Sequence, residues 1–291
     1  MTFPLLRPVI ALGAALAAFG LSGCASALNA ATSRAGYDVV SDIRYAPGTR
    51  GTYDLYRPED AGADAPAVVF IHGGSWDTGS KEIYRFLGQS LASAGVIVAI
   101  PNYRLYPQTR FPGFVEDAAK ATAAFASALR NGENGIPRGR HKLFLMGHSA
   151  GAEIAGLLAT DGRWLTQQGL PLRRIAGFIG LAGPYDFLPL TDERYKSIFP
   201  EKLRAASQPV NFVDGDEPPM LLIAGAADET VDPKNTRSLA AKVRAAGGSV
   251  EETLYPGVSH VGAITAFATT LPLGDRDIRA QTLHFIRDHA R

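Results

Sequence analysis

Leu143-Phe144-Leu145-Met146-Gly147-His148-Ser149-Ala150-Gly151 is the stretch that decides the fold of this chain. Residues 143–146 are apolar without alternation, as in a strand buried on both faces, and residues 150–159 that follow have a helical pattern. A strand that passes into a helix within a few residues must turn sharply, and glycines at 147 and 151 remove side chains that would collide there. The turn lifts the Ser149 hydroxyl above the sheet. It also puts the Ala150 amide at a helix N-terminus, where the dipole and unpaired N–H groups favour developing negative charge. The pentapeptide alone fits any glycine-rich turn with an incidental serine; the strand-to-helix setting is what makes Ser149 a candidate nucleophile.

Working outward, the same alternation repeats. Ala67–Ile71 is an all-apolar run ending in glycines, Ile83–Ala94 has helical spacing, Val96–Ile100 is a buried strand and Val115–Leu129 an alanine-rich helix. Beyond the serine lie strands over Ile175–Leu181 and Met220–Ala224, a helix over Thr236–Ala246, a strand over Val250–Tyr255 and a terminal helix over Arg279–His289. Two further strands, Val39–Tyr45 and Thr52–Tyr56, open the domain around a Pro47-Gly48 turn. This order predicts an α/β fold, a mostly parallel twisted sheet with helices on both faces. Reactive groups then belong in the loops beyond the carboxyl ends of the strands.

A serine needs a base to take its proton and a carboxylate to orient that base. His260, just past the last strand in Pro256-Gly257-Val258-Ser259-His260, stands where the base belongs. His284 and His289 read as surface positions of the terminal helix, and His141, between Arg140 and Lys142, as solvated. Three acids compete in the loop after Met220–Ala224. Asp232 precedes Pro233 and reads as a helix cap, Glu229 as solvated, and Asp228 is preferred as the orienting acid. His72-Gly73-Gly74-Ser75-Trp76 follows Ala67–Ile71, and its glycines let backbone amides approach a substrate oxygen. Donors to an oxyanion are assigned to Gly74, with Gly73 as the alternative, and to Ala150. His72 itself reads as a structural hydrogen-bonding residue.

The first residues are a different material. Val9–Leu21 is a nearly unbroken apolar run preceded by Arg7, too short to span a membrane comfortably but suited to a signal-peptide core. It ends in Leu21-Ser22-Gly23-Cys24, which looks like a bacterial lipobox; residues 1–23 would be removed and Cys24 would carry lipid. The alternative is ordinary secretion with cleavage near Ala25-Ser26-Ala27. Cys24 is the only cysteine, so no disulfide forms within the chain. Residues 24–36 read as a tether and 37–291 as one domain. The chain as a whole has the 46% apolar and 20% charged composition of a soluble globular protein, and a net charge of +1 gives no footprint for nucleic acid or an anionic surface. No His or Cys cluster has metal-ligand spacing.

Taken with Asn102-Tyr103-Arg104-Leu105, Phe111-Pro112 and Glu116-Asp117, these motifs resemble the α/β-hydrolase carboxylesterases. The nearest branches are the hormone-sensitive-lipase-like and the kynurenine-formamidase-like (BD-FAE-like) ones. The resemblance covers residues 37–291. It implies hydrolysis of a small-molecule ester by a Ser149-Asp228-His260 triad without metal or organic cofactor. Amide cleavage on the same fold, or a non-catalytic binding lipoprotein, are the other functions it leaves open. Lipidation of Cys24 implies a site in the cell envelope, outside the cytoplasm. Ser75, Trp76 and Asn102 depart from the lipase-like pattern, and Glu153 stands where His or Asn is common; its bland role is pairing with the helix dipole. Only residues 187–218 are left to cover the site, so a small cap or none is expected, with Trp76, Tyr185 and Phe187 as pocket walls and short or compact acyl groups as substrates.

Overall fold

A computed structural model describes residues 26–270 and 274–291. The apolar leader and Cys24 therefore lie outside the described residues. Among the described residues, no helix is long and apolar enough to cross a membrane.

Eight strands form one sheet: β1 (Tyr37–Arg44), β2 (Thr52–Pro58), β3 (Ala67–Ile71), β4 (Ile97–Pro101), β5 (Leu143–His148), β6 (Ile175–Leu181), β7 (Met220–Gly225) and β8 (Val250–Tyr255). Their spatial order is β1-β2-β4-β3-β5-β6-β7-β8. β2 runs antiparallel to both neighbours, and every pair from β4 to β8 is parallel. The helices are α1 (Arg85–Ala92), α2 (Gly113–Asn131), α3 (Ala150–Thr160), α4 (Arg163–Thr166), α5 (Glu193–Ile198), α6 (Lys234–Ala245), α7 (His260–Thr265) and α8 (Arg276–His289). Two cores result, one on each face. In β3, Val69 and Ile71 pack with α2, α3 and α6, while Val68 and Phe70 pack with α1, α7 and α8. All four are fully buried, each contributing on the order of 1.5–3 kcal/mol, which is why these strands read as unbroken apolar runs.

The parallel arrangement brings the ends of β3, β5, β7 and β8 to one edge, so the glycine loop, Ser149, Asp228 and His260 emerge together. The segment read as a tether is partly folded. Residues 26–31 are helical and Leu28 is buried. The Asn29 amide donates to the Glu82 and Ile83 carbonyls, and its Oδ1 accepts from the Phe86 amide (3.0 Å), capping the start of α1. Small polar residues gave no sign of this, because the partners lie more than fifty positions away.

Candidate active site

Ser149 sits between β5 and α3 with φ 55° and ψ −128°, a left-handed conformation that costs a non-glycine residue of order 1–3 kcal/mol. Two features hold it there. Its amide donates to the Leu181 carbonyl of the neighbouring strand at 2.9 Å. A Cβ at Gly151 would lie 2.1 Å from the Ile71 carbonyl oxygen, so glycine is required for α3 to press against the end of β3.

The Ser149 hydroxyl donates to His260 Nε2 at 2.9 Å, and His260 Nδ1 donates to Asp228 Oδ2 at 2.8 Å. The other carboxylate oxygen of Asp228 accepts from the amides of Thr230 and Val231, both at 2.9 Å. Asp228 is 6% exposed, whereas Glu229 and Asp232 are solvent-exposed; Asp232 accepts from the Lys234 amide and so caps α6. Of the three acids in this loop, Asp228 alone is buried and bonded to His260.

The glycine loop behaves differently at its two glycines. The Gly73 amide is engaged, donating to the Tyr84 hydroxyl at 3.2 Å, so the assignment of Gly73 as an oxyanion donor is corrected. Its role is steric, since a Cβ there would lie 3.1 Å from Ser149 Cβ and 2.9 Å from the His148 carbonyl oxygen. The amides of Gly74 and Ala150 have no acceptor among the described residues, which leaves them free for a negative charge forming at Ser149. The loop is held from behind by His72, fully buried and stacked on Tyr103 at 4.3 Å. Its Nδ1 donates to the Gly73 carbonyl at 2.8 Å, and burial pushes its pKa down to about 3, so it is the neutral structural residue expected. Arg50 ties the same region together, donating to the Tyr103 and Gly79 carbonyls.

Two residues acquire roles that the sequence did not suggest. His148 is buried beside the base, its ring centroid 4.8 Å from that of His260, and its Nε2 donates to the His260 carbonyl at 3.1 Å. Burial holds it well below the ordinary histidine range, and the nearby His260 lowers it further, so it stays neutral. Glu153 is completely buried and its Oε2 accepts from Trp76 Nε1 at 2.9 Å. Desolvation drives this carboxyl well above its usual range, so it is a neutral acid and not a carboxylate paired with the helix dipole.

Trp76 and Phe187 meet at 5.8 Å beside the loop, with Tyr195 and Phe199 edge-on to Trp76. Phe187, Tyr195 and Phe199 come from the excursion 187–218, which Arg194 pins to Asp77 by an ion pair. The excursion forms a small cover. Tyr185 is fully buried, wedged against Gly180 and Gly183, and belongs to the core instead of a pocket wall. His141, expected to be solvated, is half-buried, and its ring nitrogens face the Ala65 and Pro137 carbonyls at 2.8 and 2.7 Å. No group of three or more His, Cys, Asp or Glu suited to a metal occurs among the described residues.

A mostly parallel sheet carrying Ser, Asp and His on the loops at the carboxyl ends of β5, β7 and β8, in that order, defines the α/β-hydrolase class. Within it, the chain belongs to the BD-FAE family, whose model matches residues 53–243. It is 30% identical over 244 residues to the isoprenylcysteine alpha-carbonyl methylesterase ICME of Arabidopsis thaliana, covering 76% of this chain and 56% of that protein. It is 29% identical to the kynurenine formamidase of Salmo salar over 51% of this chain and 47% of the other. The chain thus spans about half the length of the curated relatives it matches. Among solved structures, esterase B from Lactobacillus rhamnosis superposes with a TM-score of 0.75 at 21% identity, covering 95% of this chain and 94% of that one, which speaks for the fold alone.

Proposed function

We propose that the protein is a serine carboxylesterase that hydrolyses short-chain or compact carboxylic esters through an acyl-enzyme. The observation that carries this reading is the continuous relay from the Ser149 hydroxyl through His260 to Asp228, beside two unengaged amides. In this mechanism Ser149 Oγ attacks the ester carbonyl as its proton passes to His260 Nε2, and Asp228 stabilises the imidazolium. The Gly74 and Ala150 amides receive the oxyanion. Collapse of the tetrahedral adduct expels the alcohol, which takes the proton from His260. A water, deprotonated by His260, then attacks the acyl carbon, and the acid leaves as Ser149 regains its proton. Compact acyl groups are inferred from the aromatic wall of Trp76 and Phe187 under the cover. The methylesterase and formamidase relatives support ester or amide cleavage at this site.

The test is a panel of p-nitrophenyl esters from acetate to laurate, with the wild type and Ser149→Ala. Acetate and butyrate are expected to be preferred over laurate, and the substitution to lower kcat/KM by at least about 10³-fold. Hydrolysis that survives it would overturn the mechanism. An N-formyl anilide cleaved faster than any ester would instead select the amidase reading. We further propose that a lipid on Cys24 holds the domain in the cell envelope, outside the cytoplasm; the motif Leu21-Ser22-Gly23-Cys24 supports this.

A further inference from the structure

At the opposite edge of the sheet from Ser149, where the chain enters β5 and β6, lies a cavity of about 370 Å³. Five cationic residues, all of them exposed, line it: Arg130 from the end of α2, Arg140 and Lys142 from the approach to β5, and Arg173 and Arg174 from the approach to β6. No carboxylate lines it, and none of the five makes an ion pair or a side-chain hydrogen bond among the described residues. This is not for want of acids, since the chain has 28 Asp and Glu against 29 Lys and Arg. Several arginines outside the cavity do find acids: Arg104 with Asp117, Arg163 with Asp161, Arg194 with Asp77 and Arg244 with Glu252. Beneath the cationic rim the floor is apolar, built from Ala126, Leu129, Leu143 and Leu170, all buried. The wall between them is fixed by His141, both of whose ring nitrogens are taken up by backbone carbonyls.

We propose that this cavity is a binding site for an organic phosphate, with the phosphoryl group on the cationic rim and a compact apolar body against the leucine floor. A carboxylate carries one charge and satisfies one guanidinium. A phosphate monoester carries close to two, and its three terminal oxygens accept from several arginines at once, which suits a rim of several unpaired donors. A membrane headgroup offers the same phosphate. However, residues 26–31, through which a lipidated N-terminus would reach the domain, dock on the segment that follows β3, at the nucleophile's end of the sheet. A membrane reached that way lies away from this cavity, so a soluble ligand is the source favoured. The site is independent of the esterase reading, and its test does not require turnover.

Calorimetric titration of the full chain with phenyl phosphate and with inorganic phosphate provides the test. Phenyl phosphate is expected to bind one per chain and more tightly than inorganic phosphate. Arg140→Ala/Arg173→Ala should weaken it at least about tenfold, as should raising salt from about 0.05 to about 0.5 M. The double variant's unchanged Tm reports that it is folded. No binding, or binding that the double substitution leaves intact, overturns the proposal. Equal affinity for the two phosphates overturns the apolar half of the site. Sedimentation with phosphatidylglycerol vesicles, lost in the double variant without any phenyl phosphate binding, overturns the soluble ligand in favour of a membrane headgroup.

Discussion

Asp228 uses one oxygen on His260 and gives the other to two backbone amides, so its orientation is fixed from both sides. Replacing it with Asn keeps the shape but offers His260 Nδ1 an amide that favours the wrong tautomer. Asp228→Asn should therefore lower kcat by about 10⁴-fold, with KM for a p-nitrophenyl ester little changed. Glu229→Gln and Asp232→Asn are expected to stay within a few-fold of wild type, since both acids face solvent. Comparable losses in all three would show that loop geometry, and not the charge of Asp228, is at stake. At this scale Ser149 and His260 were legible because their types and order in the chain are restrictive. His148 was not, because the carbonyl it holds belongs to a residue 112 positions later. Gly73 and Gly74 look alike in sequence, and only the position of the Tyr84 hydroxyl separates the engaged amide from the free one.

The contact between α3 and the glycine loop shows what an element contributes beyond its residues. Ser75 and Trp76 both have positive φ, 51° and 63°, and Trp76 is anchored by its indole N–H on Glu153. The second oxygen of Glu153 is buried without a partner, a cost of about 1–3 kcal/mol that a purely stabilising residue would not carry. Because burial holds this carboxyl well above its ordinary value of 4.5, the folded chain keeps a proton that the unfolded chain releases as pH rises past that value. Its contribution therefore destabilises the fold progressively above that value and vanishes below it. Glu153→Gln keeps the acceptor for Trp76 and has no proton to lose. Its Tm should exceed that of wild type at about pH 8, with the difference closing toward about pH 4. Thermal melts across that range check this; a difference independent of pH would argue that Glu153 ionises freely. The helix over 150–160 was read within a residue from its pattern, but the pairing expected of Glu153 with the helix dipole does not hold once its carboxyl is buried against Trp76. An acid in the first turn of a helix takes its charge state from whatever lies above it, here an aromatic wall.

For the whole molecule, the sheet sorts chemistry to its two ends. The nucleophile's end also receives the N-terminal segment, so a lipid on Cys24 would hold the proposed esterase with that end toward the membrane. Cys24→Ser should move the protein from the membrane to the soluble fraction of the cell envelope, with ester hydrolysis unchanged; persistent membrane association would count against lipidation. The opposite end gathers Arg130, Arg140, Lys142, Arg173 and Arg174 into one cavity, although the net charge of +1 gave no electrostatic footprint. Net charge is a sum over the chain, and a local cluster disappears in it. By itself the sequence determined the strand and helix order and the mostly parallel sheet, and singled out Ser149 and His260 as candidate nucleophile and base, because hydrophobic period and motif order are local or ordinal properties. The tertiary structure alone decided which acid is buried, which glycine amide is free, that Tyr185 is core, and that five scattered cations meet. Each of these depends on burial and on partners far away in the chain, which only packing brings within reach.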